Sequence, residues 1–248
     1  MSLFLAKLTL TPLIMYLTSA AGRRWGPGVS GWLTGLPLLA GPVSVFVCIE
    51  QGPDFARQAA GSTLLGMWSS CAFCLAYHAF AHRGWVAAAV AAVVAFAAAT
   101  ALLNPVLLPP WAGLVGVACL AWACLRVIPA PDSPVAMNRP PRWDMPVRLA
   151  IAAGFVVVQT GIAGWLGPQL SGLVTPFPII VILLTAFAHH QLGQPAATRV
   201  LRGFLIGMYA FAAFFWLVAV GMEPLGPALA YPVALAAWAT IIMAASAL

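Results

Sequence analysis

Gly26 to Pro37 reads GPGVSGWLTGLP, and Gly167 to Pro178 reads GPQLSGLVTPFP. The two stretches align without gaps at an offset of 141 residues, with Gly26, Pro27, Ser30, Gly31, Thr34 and Pro37 meeting Gly167, Pro168, Ser171, Gly172, Thr175 and Pro178. The match runs on at the same offset. Phe46 meets Phe187, Gly52 meets Gly193, Ala56 meets Ala197 and Leu64 meets Leu205, and Gly66, Met67, Ala72 and Phe73 meet Gly207, Met208, Ala213 and Phe214. That makes 14 identities in the 49 pairs from Gly26 to Cys74. An alanine-rich composition yields roughly four by chance, so the chain reads as an internal duplication.

The medium follows from composition. Of 248 residues, 63% are hydrophobic and 6% charged, with a mean hydropathy of +0.99. A soluble domain carries about 25% charged residues. The chain therefore reads as an all-α polytopic membrane protein in contact with membrane lipids. The net charge of +6 is a topology signal, because no Lys/Arg cluster with interleaved aromatics is present and nucleic acid is not expected as a partner. Cys48, Cys71, Cys74, Cys119 and Cys124 all fall in apolar runs, which argues against a disulfide framework.

A spanning helix needs about 20 apolar residues. Nine candidates are expected: 2–21, 31–49, 57–80, 85–103, 111–127, 147–166, 172–189, 199–220 and 228–248. The first lacks a cleavage site and reads as a retained span. The fifth is the weakest, since NPVLLPP at Asn104 to Pro110 also suits a re-entrant hairpin. With the N-terminus outside and the C-terminus inside, Arg23, Arg24, Arg83, Arg126, Arg139, Arg142, Arg148, Arg199 and Arg202 lie inside and Arg57 alone outside. Lys7 sits within the first span and is expected to snorkel outward. Such a bias follows the positive-inside rule. The organisation expected is two four-helix repeats, 1–104 and 147–248, joined by a connector helix and a Pro-rich linker, 105–146. An odd number of spans separates equivalent points, so the repeats have inverted topology, as in many secondary transporters.

The repeated Ser-Gly-x-x-Thr-x-x-Pro supplies the candidate site. Ser30 and Ser171 are expected as N-caps of the second and seventh spans, with Gly31 and Gly172 just inside and Thr34 and Thr175 one turn on. Pro37 and Pro178 are expected to kink those helices and to free carbonyls near Leu33 and Val174. Hydroxyls, freed carbonyls and a helix N-terminus together suit a small polar or anionic group, whereas the same small residues also suit close helix packing. Glu50 reads as a coupling carboxylate or an interfacial residue, and Gln159 as a mid-membrane hydrogen-bonding group. His189 and His190 are adjacent and point to different sides of a helix, which argues against a joint metal site. Met67, Cys71, Cys74 and His78 share a helical face whose soft donors suit Cu(I) or Zn(II). One straight helix cannot wrap an ion across three turns, so neither a metal site nor a cofactor is assigned. No nucleophile–base set, P-loop or dinucleotide glycine motif is present, and an enzyme is not expected.

Ser30 to Val47, SGWLTGLPLLAGPVSVFV, and Thr63 to Tyr77, TLLGMWSSCAFCLAY, resemble the small GlpM-type bacterial inner-membrane proteins. Gly66, Met67, Trp68 and Ser69 carry the Gly-Met-Trp-Ser segment. The second half, Ser171 to Phe187, keeps the first segment, but Tyr209 replaces the tryptophan. The resemblance implies a bacterial inner-membrane location and a loose link to exopolysaccharide production, and brings no site residues. The reading expected is a secondary transporter or flippase for a small polar or anionic solute or a lipid-linked species, working through a cavity between the second and seventh spans. The alternatives are an accessory or scaffold subunit of an envelope-polysaccharide system, as a homodimer or within a larger complex, and a soft-metal carrier using the third span.

Overall fold

The computed structural model describes residues 9, 13, 16–17, 20, 24–34, 37, 40–131 and 144–246. Among them there are helices and short turns and no strand. In chain order the helices are α1 (Pro27–Thr34), α2 (Ala40–Gln51), α3 (Pro53–Phe80), α4 (Trp85–Leu103), α5 (Pro110–Val127), α6 (Asp144–Val174), α7 (Ile179–Leu192), α8 (Gln194–Leu225) and α9 (Pro227–Ser246). Four stretches are long and apolar enough to cross a membrane: α3 with the 3-10 turn that extends it to Arg83, α4, α5 and α8. Trp165–Val174 and Ile179–Leu192, bent by 42°, make a fifth if the pair is one span. Among the described residues, four or five spans therefore stand against the nine expected of the whole chain. Most of the first expected span, with Lys7 and Arg23, and the linker with Arg139 and Arg142, lie outside the described residues.

The fifth segment is a helix and not a re-entrant hairpin, because the prolines fall before it. Asn104 and Pro105 turn the chain, Pro109 is extended, and Pro110 occupies the first turn of α5, where its missing N–H costs nothing. α3 and α8 begin earlier than expected, at Pro53 and Gln194, for a related reason. Gly52 (φ 94°) and Gly193 (φ 84°) turn the chain through a conformation other residues rarely adopt, and proline then opens each helix.

α3 and α8 form the centre. They are 61% and 67% buried over their most apolar windows, against 22% for α4 and for α5. Leu64, Met67 and Phe73 on α3 and Leu205, Met208 and Phe214 on α8 are all essentially inaccessible. These are three of the pairs that match at the 141-residue offset. α4 packs on α3 and α9 on α8, while α5 lies against both central helices.

The kink expected at Pro178 is a break between α6 and α7, bent by 42°, whereas around Pro37 residues 35–36 and 38–39 lie outside the described residues. Gly26 (φ 98°) and Gly167 (φ 72°) interrupt the chain, and Pro27 and Pro168 restart it one turn before the serines. Ser30 and Ser171 therefore lie inside helical turns and are not N-caps, because a positive-φ glycine followed by proline is the stronger start signal. The helical turn of 168–174 lies on α3, and α1 lies on α8. Both contacts are backbone-close. A Cβ added to Gly172 would strike the Ala59 carbonyl and Ser62, and one added to Gly203 would strike the Gly28 carbonyl and the Trp32 amide.

Polar ties hold the ends. Ser62 donates to Gln169, whose side-chain amide donates to the Val106 carbonyl at 3.1 Å, joining α3, α6 and the 104–109 turn. Arg202 donates to the Leu125 carbonyl at 2.8 Å and to the Ile128 carbonyl, placing a cation at the C-terminal end of α5, where the helix dipole favours one. Gly172→Val should overpack the α6–α3 contact and lower stability by about 1–3 kcal/mol, read as a lower melting temperature in detergent. Gly154→Val, at a glycine with open space around it, is the control. Equal melting of the two variants would show that the turn does not rest on α3.

Candidate functional site

The two breaks meet at one cavity of about 60 Å³, room for a few water molecules. Four pairs of its lining residues stand 141 apart in sequence: Thr34 with Thr175, Ala40 with Val181, Met67 with Met208, and Ser70 with Phe211. Pro176, Phe177 and Pro178 form one wall, and no Asp, Glu, Lys, Arg or His is among the lining residues.

The electrostatics follow from where the helices stop. α1 ends at Thr34 and α6 at Val174, so both present their carbonyl ends to the cavity. α2 starts at Ala40 and α7 at Ile179, so both present their amide ends. Opposed dipole ends leave little net field, and each can bond a neutral group. The expected freed carbonyl at Val174 is not free, since it accepts the Phe177 amide at 2.9 Å. Thr175 donates its hydroxyl back to the Ser171 carbonyl at 2.8 Å. Ser70, fully buried on α3, donates to the Pro176 carbonyl at 3.0 Å and keeps lone pairs with which to accept. The pocket thus suits an uncharged group that both donates and accepts, such as a hydroxyl or an amide.

Of the residues singled out in sequence, Thr34, Thr175 and Pro178 line the cavity. Ser171 is buried behind it and bonds Thr175, while Gly172 provides the close approach to α3. Pro37 is buried, and its carbonyl accepts the Gly41 amide at 2.9 Å, re-forming the helix as α2. Ser30 and Gly31 lie within α1 and Gln159 within α6, and the side chains of Ser30 and Gln159 fall outside what the structure describes. Glu50 is exposed near the end of α2 and is not among the lining residues. Sequence reasoning passed over Met208, Ser70, Phe204 and Phe211 as site residues and weighed Met67 only as a metal ligand. The identity of Met67 with Met208 was the available signal. Cys71 and Cys74 are buried in the core, and among the described residues no three His, Cys, Asp or Glu side chains converge on a point. Tyr77 and His189 bond each other at 3.3 Å, tying α3 to α7 away from the cavity wall.

The chain matches no family model, no curated protein and no solved structure. Ser70→Ala should leave the buried Pro176 carbonyl without its donor and cost about 1–3 kcal/mol, measured as a fall in melting temperature. An unshifted melt would mean that this bond does not hold the break in place.

Proposed function

We propose that the protein is a secondary transporter or flippase of a bacterial inner membrane, built as two inverted repeats around this cavity. It moves a small polar solute or a lipid-linked species through the gap where its two broken helices meet. The observation that carries the reading is the paired lining: four residue pairs at one sequence offset face a single space. Two related halves that wall the same cavity can exchange roles as it opens to either side.

Other features support the same reading. Positive-φ glycines interrupt the chain at Gly26 and Gly167 and again at Gly52 and Gly193, each pair at the same offset. The packing is reciprocal: α1 of the first half rests on α8 of the second, and the end of α6 rests on α3. That is the relation a two-fold axis produces. In this reading α1 and α2 form one bent span, α5 is the connector, and the arginine distribution puts the N-terminus outside. The anionic solute expected from sequence finds no cationic side chain in the wall, so the neutral, hydroxyl- or amide-bearing cargo is favoured.

Sided labelling tests the arrangement. In a background with the native cysteines replaced, Trp25→Cys and Trp165→Cys stand at exposed positions beside the two elbows. An impermeant maleimide should reach them from opposite faces of oriented vesicles, and labelling from the same face would end the inverted-repeat reading. Thr175→Cys tests transport: modification from both faces is expected of an alternating cavity, whereas modification from one face alone indicates a static scaffold.

A further inference from the structure

The cavity has a neighbour that explains how cargo reaches it. A groove of about 540 Å³ runs between α4 and the end of α6, nine times the volume of the cavity (540/60). Its floor on α4 is Phe96, Ala97, Thr100 and Ala101, with Asn104 at the outer end. Eight residues separate Phe96 from Asn104, about 12 Å along the helix at 1.5 Å per residue. α4 is a 19-residue apolar helix with most of its surface uncovered, so the groove opens where a spanning helix meets hydrocarbon. No charged residue lines it.

Phe177 belongs to both spaces. Its ring meets Phe96 edge to face, with centroids 5.0 Å apart and planes at 85°. The pair forms a partition between groove and cavity. Phe177 sits in the break between α6 and α7, its amide donating to the Val174 carbonyl at 2.9 Å and its carbonyl accepting the Ile179 amide at 2.8 Å. Thr100 donates to Ser69 at 3.0 Å, fixing α4 to α3 beside the partition, so a change at the partition is read at the Phe177 side chain.

We propose that the groove is a lateral entry site for an uncharged lipid, whose hydrocarbon chain lies along α4 while its hydroxyl-bearing head passes Phe177 to meet Thr34, Ser70 and Thr175. This rests on the transport reading and deepens it by naming the cargo class and its route. The sizes support the division of labour. The cavity admits a small head only, and the groove has the volume for a chain. The chemistry supports it too, since the groove is apolar but for the Asn104 amide and the Thr100 hydroxyl, which is already donated to Ser69, whereas the cavity carries Thr34, Ser70, Thr175 and the helix ends.

Photolabelling in phosphatidylcholine vesicles tests it, using a monoacylglycerol with a diazirine beside its ester and a fatty acid carrying the same group. In the wild type the monoacylglycerol should label groove peptides around 97–104 and cavity peptides containing Met67 or Met208. Phe177→Ala should raise cavity labelling severalfold, and Phe177→Trp should reduce it severalfold with groove labelling unchanged. Phe96→Leu, which removes the partner ring more gently, should act in the same direction as Phe177→Ala. The fatty acid, anionic at neutral pH, should label the groove and not the cavity. Cavity labelling indifferent to residue 177, equal cavity labelling by both probes, or no groove labelling at all would each overturn the proposal. Two-sided modification of Thr175→Cys is read without any lipid probe. It can therefore stand while lateral entry fails, or fail while labelling succeeds.

Discussion

A helix broken inside a membrane must hide its unpaired backbone groups against protein, because lipid cannot bond them. The whole arrangement depends on two contacts that meet this demand. The turn at 168–174 lies backbone to backbone on α3 at Gly172, and α1 lies on α8 at Gly203. A side chain at either glycine would hold the helices apart. With them in contact, the break at 175–178 faces inward, and the Thr175, Phe177 and Ile179 amides all find carbonyl partners on the protein. Ser70 is one such partner, reaching from α3 to the Pro176 carbonyl. The same close packing brings Met67 and Met208 to one wall and so creates the cavity.

The cavity's chemistry is a consequence of geometry more than of ionisable groups. Helix ends of both polarities converge, and among the described residues no charged side chain lines the wall. In a low dielectric an unpaired charge would be costly there, and a neutral group that both donates and accepts is the economical occupant. The groove along α4 differs in kind. It is wide and apolar, and it is separated from the cavity by two aromatic rings. Head and chain of a single amphiphile would each find the surroundings they need on either side of Phe177.

Several features were legible before any coordinates. The repeat in GPGVSGWLTGLP and GPQLSGLVTPFP located both breaks, and Thr34, Thr175 and Pro178 were named from it and line the cavity. Others were misread for identifiable reasons. Ser30 and Ser171 have the residue type of N-caps, but Gly26–Pro27 and Gly167–Pro168 start their helices a turn earlier, since backbone conformation outranks a side-chain cap. Span limits drawn from hydropathy missed Pro53 and Gln194 as helix starts, because the polar first turns of α3 and α8 are helical without being apolar. Met67 was weighed as a metal ligand on its own helix, since a one-dimensional pattern shows which residues share a face and not what faces them.

By itself, then, the amino-acid order determined the helical class, the apolar character and the places where helices cannot continue. Each of these is local, set by side-chain hydropathy, by proline's missing donor and by glycine's access to positive φ. Tertiary structure alone decided that α1 packs on α8 and the end of α6 on α3, that Ser70 and Met208 share a wall with Thr34, and that Phe177 meets Phe96. Those are pairings between residues far apart in sequence, as for Thr34 and Met208, which stand 174 positions apart (208 less 34). They arise from the shape of helix surfaces in contact, which no single stretch of sequence contains.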